Sequence, residues 1–374
     1  LILTLLYIIL LVIDVLLPRL PKFTNDYEKS QKIIFDRRIE DKKKQKLIDK
    51  KYQQMIFSSL YDLYPYNKVT KEKNFINIAP PANAYFILCS EGYGNITFKS
   101  DRFGFRNLDS IWDEEIDTVL IGDSAAEGEC IQQNKTISGI LNEKNIKTIV
   151  LANGGYSAIH YAFVAKIFLE HIKPKNVIIL FHENDNHLID HHMDHMKYFH
   201  KAKSNDFVKL IDGKLAPTKK VIEFNNDIIK IQKKTSKNSA IVKLKINLNK
   251  FKKYLLLSNL RQHFYFLTND NIFKSNKMAI NEVLNFCLKN NCNSYFSLLG
   301  SSEFWDPNFF YNDYKRNLGN YLKSKNKKLI VFDDIIDYKD KKYFSVAGPH
   351  LSPLGYGLVA KRYIEILKNE NANK

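Results

Sequence analysis

A serine in the segment Gly122-Asp123-Ser124 stands where an acyl-transfer nucleophile would be well placed. It follows the apolar run 118–121, which the pattern predicts to be a buried parallel strand. The glycine permits a sharp turn, and the next residues can begin a helix whose N-terminus favours developing negative charge. Alone, the tripeptide is a weak signal, since small polar residues after a strand usually form an ordinary turn.

Three other segments offer the remaining groups of a serine mechanism. Asn153-Gly154-Gly155 follows a second apolar run, and a glycine N–H there could bind an oxyanion. Asn184 follows a third run, and its side-chain amide could donate to the same oxyanion. His350, in a Pro-flanked loop before the last helix, is a candidate general base for Ser124. Each segment alone would be an ordinary polar loop, so the case depends on their order.

Alternating strands and helices should bring these segments together. This alternation predicts an α/β fold, a three-layer α/β/α sandwich around a central parallel sheet. Ligands of such sheets bind at the carboxyl ends of the strands, which is where Ser124, Gly154 and Asn184 fall. The predicted strands are 118–121, 148–151, 176–181, 294–299 and 328–332, and the predicted helices are 137–144, 161–171, 280–289 and 354–367.

In this order, the four segments resemble the sequence blocks of the SGNH (GDSL-like) hydrolase family. The stretch 101–107, the pair Trp112-Asp113 and the stretch 348–356 look like an envelope-associated bacterial subgroup. The resemblance covers roughly residues 89–367, apart from an insertion. It implies a flavodoxin-like SGNH hydrolase fold.

The resemblance also implies a role for each matching residue. Ser124 would be the nucleophile and His350 its base, while the Ser124 N–H, the Gly154 N–H and the Asn184 side chain would form the oxyanion hole. Gly155 is the alternative to Gly154. Asp123 and Asp185 would have supporting roles.

One position departs from the family pattern. The family usually carries an aspartate three residues before the histidine, and Ala347 stands there. Three readings follow: a Ser–His dyad oriented by a backbone carbonyl, a carboxylate from elsewhere, or a domain that only binds acylated ligands. Candidate carboxylates near in sequence are Asp333, Asp334, Asp337 and Asp340.

The four cysteines are too few for a disulfide scaffold. Cys89 and Cys130 lie in the stretch that resembles the subgroup, and they are either two buried thiols or a disulfide formed in an oxidising compartment. Cys287 and Cys292 are expected to be plain thiols.

The chain divides into three parts by composition. Residues 1–21 are almost wholly apolar and are predicted to be a transmembrane anchor, with a signal-peptide core or a buried helix as alternatives. Residues 22–79 are predicted to be a charged helical stalk or linker. Residues 80–374 form the SGNH-like domain, with a Lys-rich insertion at about 201–253. Arg19 and Lys22, taken alone, would place the residues after the anchor on the cytoplasmic side of the membrane. That conflicts with the periplasmic location preferred below.

The charge and the histidines suggest two other site types. The formal charge of +17 comes from scattered lysines, so we expect no nucleic-acid partner and regard attraction to polyanions or anionic lipids as the weaker alternative. Six histidines between His182 and His200 include the spacing of helical metal ligands. A polar rim of the substrate cleft is the favoured explanation, without a metal or a cofactor.

Taken together, the sequence predicts an esterase or O-acyltransferase acting through a Ser124 acyl-enzyme. The expected substrate is an acyl ester, chiefly acetyl, of an envelope polysaccharide, and a membrane-bound acyl-transfer partner would suit the transferase. The expected location is the bacterial inner membrane, with the catalytic domain in the periplasm. The alternative is a membrane-tethered, catalytically degenerate domain that binds acylated glycans or scaffolds an assembly.

Overall fold

The computed structural model describes residues 2–16, 53–54, 66–88, 91–94, 96–186, 196–235, 257, 260, 272, 274–304 and 311–372. Its strands are β1 (Gln53–Gln54), β2 (Tyr85–Ile87), β3 (Thr97–Lys99), β4 (Thr118–Gly122), β5 (Thr148–Ala152), β6 (Asn176–His182), β7 (Val208–Ile211), β8 (Lys214–Pro217), β9 (Asn293–Leu299) and β10 (Leu329–Val331). Its helices are α1 (Ile2–Leu16), α2 (Tyr66–Lys73), α3 (Ser124–Glu127), α4 (Ile137–Glu143), α5 (Ala158–Ile172), α6 (Met196–Lys201), α7 (Lys219–Thr235), α8 (Lys274–Asn290), α9 (Tyr311–Lys323) and α10 (Pro353–Ala372).

Five parallel strands form the central sheet, in the order β10-β9-β6-β4-β5. Taken by chain order within this sheet, that is the 2-1-3-4-5 arrangement of flavodoxin-like doubly wound folds. The predicted α/β fold with a central parallel sheet is therefore confirmed. Gly122 pairs with Leu180 on β6 and with Ala152 on β5, so the loops after these three strands leave from one edge. The strand order reverses between β4 and β6, where ligands of such sheets bind.

Side-chain alternation on the strands separates two apolar cores. Val119 and Ile121 of β4 face a core shared with α5, α8 and α9. Leu120 faces the opposite core, shared with α4 and α10. Because both faces of β4 are covered, its sequence is a continuous apolar run.

Asp101 organises the segment that leads into the sheet. Its buried carboxylate accepts hydrogen bonds from the backbone N–H groups of Phe103 and Phe105, both at 2.9 Å. It also accepts from Asn107 Nδ2 and Trp112 Nε1, both at 2.8 Å. The two sequence patterns around Asp101 and Trp112 are thus joined by one carboxylate.

Asn107 also covers the outer edge of the sheet. Its Oδ1 accepts from the Val150 N–H at 2.8 Å, and its Nδ2 donates to the Val150 carbonyl at 3.0 Å. The side chain thus takes the place of a neighbouring strand beside β5, which satisfies an edge that would otherwise be open to another chain.

The described N-terminal residues include the helix α1 and a segment after α2 that enters the core. No helix within the described ranges is long and apolar enough to cross a membrane. Phe75, Ile76 and Ile78, which were assigned to the linker, are buried in the same core as Val119 because they are apolar and follow α2 directly.

Two further regions differ from the expectation or extend it. Cys287 and Cys292 form a disulfide, not the pair of thiols that was expected. Cys287 lies in the last turns of α8 and Cys292 just beyond its end, so their Cα atoms are only 4.4 Å apart. The predicted insertion contains the antiparallel hairpin of β7 and β8 and the helix α7.

Candidate active site

The turn after β4 presents Ser124 as the first residue of α3. Asp123 caps this short helix, because its side chain accepts from the Ala125 N–H at 2.9 Å. Glycine is required at position 122, since a Cβ there would lie 2.5 Å from the Ala126 Cβ and 2.9 Å from the Leu180 carbonyl oxygen. The glycine therefore lets α3 begin tightly against the sheet.

A second turn follows Ser124 and is held by a buried arginine. Gly128 adopts a left-handed conformation, and the N–H groups of Gly128 and Glu129 both donate to the Ser124 carbonyl at 3.0 Å. Arg106 donates to the Gly128 and Ile131 carbonyls, each at 2.5 Å. The result is a fixed reversal that brings Glu129 back beside the nucleophile.

The cleft at this edge brings together Ser124, Asn184 and His350. It has a volume of about 490 Å³ including its open mouth, and Ser124, Asn184 and His350 all line it. The other residues of its wall are Ala125, His182, Leu299, Gly300, Ser301, Phe344, Pro349 and Leu351. Three of the predicted site residues thus share one small pocket with a mixed polar and apolar lining.

Glu91 supplies the carboxylate that Ala347 lacks. Its Oε1 lies 2.9 Å from His350 Nδ1, and its Oε2 accepts from the His350 backbone N–H at 3.3 Å. The Glu91 carbonyl also accepts from the Ala347 N–H at 3.0 Å, which ties the two loops together. Of the three readings, the structure shows a carboxylate from elsewhere in the chain.

The aspartates near in sequence do not fill this role, and two have other partners. Asp333 binds Tyr311 and Lys315, and Asp334 binds Arg362. Glu91 was missed because it lies far upstream, in a short loop with no distinguishing pattern. The one sequence signal that could have indicated a buried side chain at this place is Gly348. Because glycine has no side chain, it leaves the space that Glu91 occupies.

A second carboxylate lies on the other side of the His350 ring. Glu129 Oε2 is 3.4 Å from His350 Nε2, the nitrogen that a serine base uses. Within the described residues, the Ser124 hydroxyl makes no hydrogen bond to His350. Burial alone would lower the pKa of His350, but the charges of Glu91 and Glu129 outweigh it and hold that pKa well above its usual value.

Gly154 does not fit its predicted role. Its N–H donates to Glu127 Oε2 at 2.7 Å, so it points to a buried carboxylate and not into the cleft. Burial and the charge of Glu129 raise the pKa of Glu127 to about 8. Gly155, the alternative donor, has a positive φ of 79° and stays a prediction.

Asp123 and Asp185 are both buried behind the site. Asp185 accepts from the Tyr161 hydroxyl and the His182 N–H, both at 2.9 Å, so it fixes the loop that carries Asn184. Burial, and then the charge of Asp123, raise the pKa of Asp185 well above its usual value. Both carboxylates position backbone near the cleft, and their supporting roles stay a prediction.

Among the residues that the structure describes, one cluster could offer ligands to a metal. Suitable atoms of Glu91, Cys130 and His350 lie within 4.8 Å of one another. Cys130 is disulfide-bonded, so its sulfur is not a thiolate ligand, and we assign no metal to this group. Its predicted partner Cys89 lies outside the described residues, as does most of the histidine cluster, at 187–195.

No family model and no curated protein matches this chain. Solved structures do match. A GDSL-like lipase from Bacteroides thetaiotaomicron is 11% identical, with a TM-score of 0.37 over 69% of this chain and 90% of its own. A family 3 carbohydrate esterase from Clostridium thermocellum is 14% identical, with a TM-score of 0.37 over 68% and 98%.

Proposed function

We propose that this protein is an ester hydrolase or O-acyltransferase that works through an acyl-enzyme on Ser124. One observation carries the proposal: Ser124, Asn184 and His350 line the same cleft, and Glu91 hydrogen-bonds to His350 Nδ1. A nucleophile, a base and a carboxylate that orients the base are the three parts of a serine triad.

The reaction begins when neutral His350 accepts the Ser124 proton at Nε2. Ser124 Oγ then forms a bond to the ester carbonyl carbon, and the carbonyl oxygen becomes an oxyanion. The Asn184 side chain is the proposed donor to this oxyanion, and loss of such a donor typically lowers the rate by about 100-fold or more. The intermediate collapses with loss of the alcohol, which takes the proton from His350 and leaves the acyl group on Ser124.

The second half repeats these steps with a new nucleophile. His350 removes a proton from water or from a sugar hydroxyl, and that oxygen attacks the acyl-enzyme carbonyl. Ser124 leaves with the proton returned by His350. Throughout, Glu91 stabilises the imidazolium form of His350. Hydrolysis and transfer therefore differ only in the acceptor.

We assign a small acyl ester of a carbohydrate as the substrate. The cleft is small, and Leu299, Phe344 and Leu351 give it an apolar side that suits a short acyl chain. His182 and Ser301 provide polar groups for hydroxyl-bearing acceptors. An envelope polysaccharide fits this chemistry.

The disulfides support a periplasmic location. Cys287 pairs with Cys292, and Cys130 is also disulfide-bonded, which requires an oxidising compartment. Thiol trapping of protein taken directly from cells tests this, and free thiols at both sites would contradict it. The predicted membrane anchor forms no part of the proposal.

A degenerate binding domain is the second candidate, because His350 Nε2 faces Glu129 and not Ser124. Labelling with a fluorophosphonate separates the two. We expect the wild type and a Ser110→Ala control to be labelled on Ser124, since Ser110 is exposed and remote from the cleft. Ser124→Ala should not be labelled. Equal labelling of Ser124→Ala, or none in the wild type, would exclude the acyl-enzyme.

A further inference from the structure

Glu129 lies beside the nitrogen of His350 to which the Ser124 hydroxyl must donate for catalysis. A serine is activated when its hydroxyl donates to the neutral Nε2 of the histidine base. Here Glu129 Oε2 lies 3.4 Å from that nitrogen. The ring is thus held from both sides, by Glu91 at Nδ1 and by Glu129 at Nε2.

Three observations indicate that the surrounding structure fixes the position of Glu129. Gly128 is left-handed, and a Cβ there would lie 2.3 Å from the Thr136 side chain, so only glycine allows the reversal. Arg106 holds the carbonyls on both sides of Glu129, at Gly128 and Ile131. The Glu129 side chain is only 5% exposed, so water does not screen its charge as it would at the surface.

The charges that face His350 come from several elements. Glu91 lies on the lead-in loop, Glu129 on the turn after α3, and Glu127 at the end of α3. Arg106, from the segment before β4, and the Tyr356 hydroxyl, on α10, both interact with Glu129. Glu91 and Glu129 contact the two ring nitrogens directly, so a positive ring is favoured at this place, while Glu127, whose pKa is raised to about 8, adds little charge at neutral pH.

We propose that Glu129 is a positioning residue that holds His350 as an imidazolium in a resting orientation and so sets the pH at which Ser124 becomes reactive. This rests on the proposed function. Activation is loss of one proton from the His350 Nε2–H to solvent. The contact with Glu129 then loses its charge attraction, and the Nε2 lone pair accepts the Ser124 proton. A substrate that enters the cleft and displaces the Glu129 carboxylate would favour the same change.

The test is the pH dependence of two readouts in Glu129→Gln, with the exposed Glu143→Gln as the control. The first is the rate of fluorophosphonate labelling from about pH 5 to about pH 9. The second is the NMR titration of the His350 ring in a Ser124→Ala background. We expect Glu129→Gln to have the wild-type labelling rate at alkaline pH. The acid limb, on which the labelling rate falls as the pH is lowered, should lie at lower pH than in the wild type. Labelling on that limb should rise about tenfold for each pH unit moved. The His350 titration should move in the same direction, and Glu143→Gln should change neither.

Two outcomes would overturn the inference. One is an unchanged His350 titration in Glu129→Gln. The other is a labelling rate reduced by one factor at every pH, which would mean that Glu129 stabilises the transition state. If the wild type is not labelled at all, the proposed function fails, while the NMR titration still decides the role of Glu129. If Glu129→Gln does not fold, Glu129→Asp withdraws the carboxylate by one methylene and should give a smaller shift in the same direction.

Discussion

Glu91 and His350 are 259 positions apart in the chain, yet their side chains meet at 2.9 Å. Glu91 also accepts from the His350 backbone N–H, so one carboxylate fixes both the loop and the ring. The side chain of Glu91 is 10% exposed and that of His350 is 17% exposed, so the pair is only weakly screened by solvent. This arrangement gives the site an acid although Ala347 stands where the SGNH sequence pattern has an aspartate.

The first prediction concerns Glu91→Gln. The amide keeps the shape of the side chain but removes the charge that orients and stabilises the His350 imidazolium. We expect the rate of ester hydrolysis at its alkaline maximum to fall by roughly 10²- to 10⁴-fold, as it does when the acid of a serine triad is replaced by an amide. Single-turnover hydrolysis of p-nitrophenyl acetate measures this. A rate within about twofold of wild type would show that Glu91 is not needed.

Gly348 gives a second route to the same change. A Cβ at this position would lie 1.9 Å from Glu91 Cδ, so Gly348→Ala must push the carboxylate away from His350. We expect its activity to fall nearly as far as that of Glu91→Gln, and the double variant to lose little more. Gly357→Ala is the matched control, because nothing lies within 4 Å of a Cβ there. Losses that multiply in the double variant would show that the two residues act separately.

Much of the sheet could be predicted because its strands are buried on both faces. All five predicted strands begin and end within one residue of β4, β5, β6, β9 and β10. A continuous apolar run bounded by Gly, Asn or Asp is a strong local signal, and the strand order follows the usual doubly wound connection. The positions of Ser124 and Asn184 followed from the same signal, whereas His350 was chosen because it lies in a Pro-flanked loop before the last helix.

The rest of the site depends on contacts between distant segments, which no local pattern encodes. Glu91 reaches His350 through the gap at Gly348, and the Gly154 N–H is taken by a carboxylate from α3. The Cys287–Cys292 pair was missed because a spacing of five residues says little until the end of α8 is known. Packing between distant segments sets these features, and no hydrophobic periodicity in the sequence indicates them.

The third prediction concerns the stability of the buried Glu127. Its pKa is about 8 in the folded protein and 4.5 ordinarily, so the folded state binds a proton more tightly than the unfolded state. The stability from this proton is fully present below about pH 4.5 and is lost as the pH rises through about 8. Glu127→Gln imitates the protonated form and can still accept from the Gly154 N–H. We expect it to be more stable than wild type by roughly 1 to 3 kcal/mol at alkaline pH.

Urea unfolding of wild type and Glu127→Gln at several pH values measures this difference. The two should be nearly equal in stability at acidic pH and should diverge as the pH rises. Glu143→Gln, on the exposed face of α4, should follow the wild type throughout. A constant difference between Glu127→Gln and wild type at every pH would contradict the linkage.

The last prediction concerns Asp101, which holds the segment that carries Arg106. Asp101→Ala leaves four donors without their acceptor, on Phe103, Phe105, Asn107 and Trp112. Each buried donor left unpaired costs about 1 kcal/mol or more, so we expect a loss of at least about 3 kcal/mol in the free energy of unfolding. Asp109→Ala, in the same segment but exposed, removes an ion pair with Arg102 and should cost about 1 kcal/mol or less. Urea unfolding compares the two variants. Arg106 fixes the turn whose Gly128 and Glu129 N–H groups hold the Ser124 carbonyl, so Asp101→Ala should also slow Ser124 labelling at alkaline pH under conditions where it remains folded, whereas Asp109→Ala should not.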